Sequence, residues 1–166
     1  MKIVLDTSVL VAAAIAWSED RSAESRWLVE VALIGQRRYE NVTSEPLIFE
    51  LRSALERNAR VGQAFAEAFV RAVGLKSTFI PIYNVPMGAR DPRDDKVIET
   101  AMNGNVDAIV SEDKDLHDAD ARRAIAKTGV GIRERPIQVW NARTLVAALS
   151  GRPRFSPLVV PATVAA

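Results

Sequence analysis

Cysteine is absent from the 166 residues, and histidine occurs once, at His117. The first absence excludes disulfides, zinc–thiolate centres and thiol catalysis. The second excludes a metal centre built from several histidines. A metal held by this chain must sit among oxygen ligands, which points to magnesium or manganese. A large charge excess is also missing: 22 basic and 21 acidic residues leave a formal net charge of +1. That balance neither demands nor forbids a nucleic-acid partner, because local distribution matters more than the sum. No run of about 20 uncharged apolar residues occurs, so no membrane span is expected. The opening MKIVLDTSVLVAAAIAW has the lysine and apolar run of a signal peptide, but Asp6 interrupts it and no processing site follows. It reads as a buried strand leading into a helix, and cytoplasm is the expected compartment.

What is present is the mix of a soluble globular chain, 48% hydrophobic and 26% charged. The length suits one domain with a core that needs no staples. We place that domain at residues 1–150. Residues 151–166, with three prolines and no helical period, read as a flexible C-terminal extension. KIVLD is an apolar run ending in an acid, as a central parallel strand would be. Helical patterns cover the stretch after it and residues 22–34, the latter stopped by Gly35. Residues 41–43 are strand-like. Ser44 and Pro46 then suit a helix start, with Leu47, Leu51, Ala54 and Leu55 on one face. Residues 61–73 read as a helix closed by Gly74, and TFIPIYNV as a strand. Residues 94–103 are helical up to Gly104, VDAIV is a buried strand, and SEDKDL is its exit loop. A helix stopped by Gly129, the strand IQVW and the helix NARTLVAALSG complete the chain. Strand and helix alternate, so the predicted fold is α/β with a mainly parallel sheet.

RDPRDDKVIETAMNGNVDAIVSEDKDL packs six aspartates around two apolar runs. In open α/β sheets, sites form beyond the carboxyl ends of the strands. Asp6 ends the first strand, Asp113 follows AIVS, and Asp94 opens the helix before that strand. Glu50 lies one turn into the helix after NVT. Each has an ordinary alternative: Asp6 and Asp94 as helix caps, Asp113 as a turn residue, Glu50 as a solvated helix residue. As a set they suggest more. Carboxylates held close raise one another's pKa and call for a cation. A metal so held can activate water, orient a phosphodiester and stabilise a leaving oxygen, with no serine, cysteine or histidine nucleophile.

MKIVLDTSVLVAA, SEPLIFELRSAL, the aspartate-rich stretch above and IQVWNARTLVAAL resemble the PIN-domain family. The likeness is closest to its bacterial branch of VapC-like toxins from toxin–antitoxin pairs, and it covers residues 1–150. The resemblance implies an α/β/α sandwich and a magnesium- or manganese-dependent endoribonuclease. It implies Asp6, Asp94 and Asp113 as metal ligands, with Glu50 as a fourth catalytic carboxylate. Asp95 competes with Asp94; the frame DDKVIETA fits Asp94 better. Asp91 and Asp115 match acidic positions that would serve as outer ligands. Ser111 stands where the family often has threonine, and Ser8 where it often has asparagine. The family also implies an RNA substrate, an antitoxin partner seated on the early helices, and a homodimer.

Arg90, Arg93, Lys96 and Lys114 flank these acids. They would hold RNA phosphates, or else balance the acids as solvated charges. His117 reads as a surface or partner-contact residue rather than a general acid, and Trp17 and Trp27 as core. A non-catalytic RNA- or protein-binding module is the alternative function. A dehalogenase-like phosphotransferase fits poorly, because Asp6-Thr7-Ser8 lacks a second aspartate two positions on.

Overall fold

The structure, a computed structural model, describes residues 1–128 and 135–151. The proposed extension from residue 152 onward and the expected helix stop at Gly129 lie outside the described residues. Five parallel strands form one sheet in the order β3-β2-β1-β4-β5. They are β1 (Lys2–Leu5), β2 (Glu40–Thr43), β3 (Ser77–Phe79), β4 (Ala108–Val110) and β5 (Gln138–Trp140). The central strands are buried on both faces, as crossover helices require. Ile3 and Leu5 of β1, with Ala108 and Val110 of β4, point into one core; Val4 and Ile109 point into the other.

The first core is covered by α1 (Thr7–Ser18), a segment opening at α2 (Glu24–Arg26), α3 (Glu45–Glu56), α4 (Gln63–Leu75) and α7 (Ala142–Leu149). The second is covered by α5 (Asp95–Asn103) and α6 (Ala119–Thr128). The architecture is α/β with an all-parallel sheet, as the strand–helix alternation predicts, and its helices on both faces make the α/β/α sandwich that the family resemblance implies.

Several local expectations need correction. The segment expected as an ordinary helix continues from α2 as a π-helix, Trp27–Gly35. Its wide turn is closed by the Gln36 amide, which donates to the Val31 carbonyl at 2.8 Å. Gly74 does not stop α4, which runs on to Leu75. Gly104 does end α5, but at φ −78, so left-handed freedom is not its purpose. A Cβ there would stand 2.5 Å from Val42 Cγ1 and 3.0 Å from the Thr100 carbonyl. Glycine lets the end of α5 lie against β2. Ser44 precedes α3 but makes no capping bond; its hydroxyl accepts from Thr100 Oγ1 at 2.9 Å.

TFIPIYNV is strand only to Phe79. The chain then forms a strap along α5. Asn103 Nδ2 donates to the Pro81 carbonyl at 3.1 Å. Both oxygens of Glu99 accept backbone amides, from Tyr83 at 2.6 Å and Val85 at 3.0 Å. Asp95 Oδ1 accepts the Ala89 amide at 3.0 Å. Asp95, Glu99 and Asn103 recur every four residues, so they share one helix face. The strap runs lengthwise down that face toward the N-terminus of α5. Asn84 sits at φ 58, a left-handed conformation that asparagine tolerates, and the amides on either side of it reach the same carboxylate.

Candidate functional site

The sheet order sets the place. From β1 the chain moves to β2 and β3 on one side, then returns to β4 and β5 on the other. The carboxyl ends of β1 and β4 therefore meet at a topological switch point, where open α/β sheets form crevices. Leu5 pairs with Val110 in the parallel register. The next residues, Asp6 and Ser111, stand abreast, and the Asp6 amide donates to the Val110 carbonyl at 2.9 Å.

Asp6 is 7% exposed. It caps α1 through the Ser8 amide at 3.3 Å. Ser8 Oγ and Ser111 Oγ also donate to it, at 2.6 and 2.8 Å. All three bonds end on Oδ2. Oδ1 takes no hydrogen bond among the described residues. Each hydroxyl is fixed from behind by a backbone amide: Glu112 donates to Ser8 Oγ at 3.0 Å, and Asp113 to Ser111 Oγ at 2.9 Å. Buried hydroxyls used as both donor and acceptor hold a carboxylate in one orientation.

Asp94 immediately precedes α5 with helical backbone angles, and its carboxylate makes no capping bond. Partial burial, the largest cause, and then the charges of Asp113, Asp91, Asp6 and Asp115 push its pKa up to about 7. Those five aspartates share one electrostatic neighbourhood. Asp95, the alternative to Asp94, accepts the Ala89 amide of the strap on Oδ1. Asp113 is exposed on the loop after β4, and its Oδ1 accepts the Asp115 amide at 3.0 Å. Glu50, half-buried on α3, acts on the charge of Arg93.

The flanking cations divide. Arg93 makes a two-pronged contact with Asp91, at 3.0 and 2.7 Å to Oδ2, and holds that carboxyl below its usual pKa. Arg90 pairs with Asp115 at 2.5 Å and lies 3.8 Å from Asp118. Both arginines are otherwise exposed. Lys96 and Lys114 make no ion pair among the described residues. His117 Nε2 lies 2.7 Å from the Ser111 carbonyl, so the histidine braces the exit of β4. Asp118 Oδ1 accepts the Ala121 amide at 2.8 Å and starts α6.

Among the described residues, no three acids or histidines converge closely enough to enclose a metal ion as they stand. Two of the acids are drawn off by Arg90 and Arg93. The donor set nevertheless suits a hard divalent cation: it is all oxygen, Asp6 keeps one oxygen open, and Asp94 is disfavoured as an anion until positive charge arrives. Magnesium or manganese would be held by Asp6, Asp94 and Asp113.

Sequence reading missed two positioning acids. Glu99, 1% exposed, fixes the strap; it lies on the polar face of α5 with Asp95 and Asn103, so nothing local in DKVIETA marks it as buried. Glu112 Oε1 accepts the Ala142 amide at 2.8 Å and ties the start of α7 to the site loop; nothing local in the sequence marks that contact.

A family model described as PIN domain matches residues 2–115, more than half of the chain. No curated protein and no solved structure matches.

Proposed function

The chain belongs to the PIN-domain family, and from that premise we propose that it is a metal-dependent endoribonuclease, the toxin of a type II toxin–antitoxin pair. PIN domains are in general nucleases that use divalent metal ions. The observation that supports metal dependence is the crowding at Asp94, whose pKa is pushed up to about 7 by burial and four neighbouring acids; the RNA substrate and the toxin role rest on the resemblance to the toxin branch. A fold that gathers such repulsion at its switch point is stabilised by a cation there.

In this reading Asp6, Asp94 and Asp113 hold the metal and Glu50 supports it. Asp91 and Asp115, with Ser111 behind Asp6, form the outer ring. When bound, magnesium or manganese supplies a water of lowered pKa and positive charge for the scissile phosphate. Ser8 and Ser111 keep the Asp6 carboxylate turned so that Oδ1 faces outward. Arg90 and Arg93, already at the mouth, exchange their carboxylate partners for RNA phosphates, with Lys96 and Lys114 beside them. Resemblance to the toxin branch supports an antitoxin on the early helices and a homodimer. The second reading, a non-catalytic RNA- or protein-binding module, is favoured by one observation: no three acids enclose a metal position among the described residues.

The test is cleavage of a mixed RNA pool, with transfer RNAs included, in magnesium, manganese or EDTA. Asp6→Asn and Asp94→Asn are run beside the parent. Metal-dependent cutting that both substitutions abolish is the expected result. A folded, antitoxin-free parent that cuts nothing in either metal speaks for the binding module.

A further inference from the structure

We propose that the strap over α5 is a base-stacking platform for single-stranded RNA, with the ring of Tyr83 as its contact surface. The inference rests on the ribonuclease reading and names the form of substrate that the site takes.

Tyr83 is 77% exposed, and Val85 beside it is also exposed. An aromatic body left in water forgoes the burial that normally decides its place. Here the exposure is not looseness. The amides of Tyr83 and Val85 are both held by Glu99, a carboxylate that is 1% exposed. Burying a carboxylate is costly unless hydrogen bonds satisfy it. The two bonds that satisfy Glu99 go to the strap. Pro81 and Pro86 flank this point and narrow the backbone further. The result is a fixed backbone presenting an outward aromatic side chain.

Its position suits a substrate track. Glu99 is five residues beyond Asp94, about 7.5 Å along the helix axis and about 140° around it, so the strap meets the acidic cluster at its Arg90 end rather than at Asp94's face. The strap runs from there toward Asp95 and ends beside Arg90, whose exposed guanidinium lies at the acidic cluster. A strand with a phosphate at the carboxylates and its backbone following the strap past Arg90 would bring a base further along to Tyr83. Every base has a face that stacks on an aromatic ring, so the contact tolerates any sequence but requires an unpaired base. A duplex keeps its bases stacked on one another and cannot use the ring.

The experiment uses the full chain in EDTA, where binding is separated from cleavage. Affinities for a short fluorescent oligouridylate and for an RNA duplex of equal length are compared for the parent, Tyr83→Ala and Tyr83→Phe. Tyr83→Ala is expected to weaken oligouridylate binding about tenfold or more, to leave duplex binding unchanged and to keep the parent's melting temperature. Tyr83→Phe keeps the ring and is expected to bind as the parent does. In magnesium, Tyr83→Ala should raise KM with kcat little altered. Equal affinity of Tyr83→Ala and parent, the outcome for a surface that serves a protein partner, overturns the platform. Equal losses in Tyr83→Phe and Tyr83→Ala also overturn it, because the hydroxyl would then be the contact. If the parent cleaves RNA while Tyr83→Ala is silent, only the platform falls. If the parent neither binds nor cleaves any RNA, the platform falls together with the ribonuclease reading.

Discussion

Asp6 concentrates its hydrogen bonds on one oxygen, and that asymmetry has a measurable consequence. Ser111 Oγ both donates to Asp6 Oδ2 and accepts the Asp113 amide. Ser111→Ala removes the donor and strands the amide, so a loss of about 1–3 kcal/mol is expected in denaturant unfolding. A variant as stable as the parent would mean that the serine does not hold the loop. Asp94 bears on stability with the opposite sign. Its pKa is about 7 in the folded chain against 3.8 for the unperturbed group. Below about pH 4 both states carry the proton, and Asp94 does not affect the balance. Between pH 4 and 7 the unfolded chain releases its proton first, so metal-free stability falls as pH rises; above 7 the penalty is constant. Asp94→Asn removes the titrating group. In EDTA its melting temperature should exceed the parent's at pH 8, with the gap closing toward pH 4. A variant that melts below the parent at pH 8 would show that the carboxylate is not under strain.

Among the elements, α5 does the most to organise the site. Its apolar side fills the second core through Val97, Ile98 and Ala101, its polar stripe carries the strap, and its first residues adjoin Asp94. Two of the glycines expected as helix stops, Gly104 and Gly74, separate function from habit. Gly104→Ala would drive a Cβ to 2.5 Å from Val42 Cγ1, and a cost of about 1–3 kcal/mol is expected. Gly74 lies inside α4 with nothing nearer its Cβ position than Phe79 Cζ at 3.9 Å. Gly74→Ala should therefore stabilise by about 0.4–1 kcal/mol. Thermal melts of the pair check both signs, and equal shifts would refute the packing argument. These residues also show what was legible in the sequence. Apolar runs such as KIVL and AIV mark strands because burial on both faces leaves no room for polar residues. TFIPIYNV has strand-like composition, but the amides of Tyr83 and Val85 bond to a side chain 16 and 14 residues later. Pro81 within the run was the warning. Strand ends and a helix start single out Asp6, Asp94 and Asp113 as candidates, whereas the bond from Ala89 that sets Asp95 apart from Asp94 exists only once the strap is laid down.

At the scale of the whole molecule, a near-neutral chain concentrates acids at one edge of its sheet, so a divalent cation should act as a folding ligand. A ligand bound only by the native state stabilises by RT ln(1 + [L]/Kd), about 2.7 kcal/mol at a hundredfold excess over Kd. For a chain of this size that is a rise of roughly 5–10 °C in melting temperature. The pKa of about 7 at Asp94 makes the effect depend on pH. If Asp94 is a ligand, as proposed, then at pH 8 its carboxylate is ionised and would accept the metal directly. At pH 5 the metal must first displace a proton, and the rise should shrink. Magnesium and manganese should thus raise the melting temperature more at pH 8 than at pH 5. Sodium chloride at matched ionic strength should not reproduce the rise. Asp94→Asn should abolish most of it, while Gly74→Ala, in a helix that carries none of the site acids, should keep it. The readout needs no RNA and no turnover, so it tests the metal site independently of the proposed substrate. An undiminished rise in Asp94→Asn would move the cation elsewhere and leave the crowding at the switch point without its explanation.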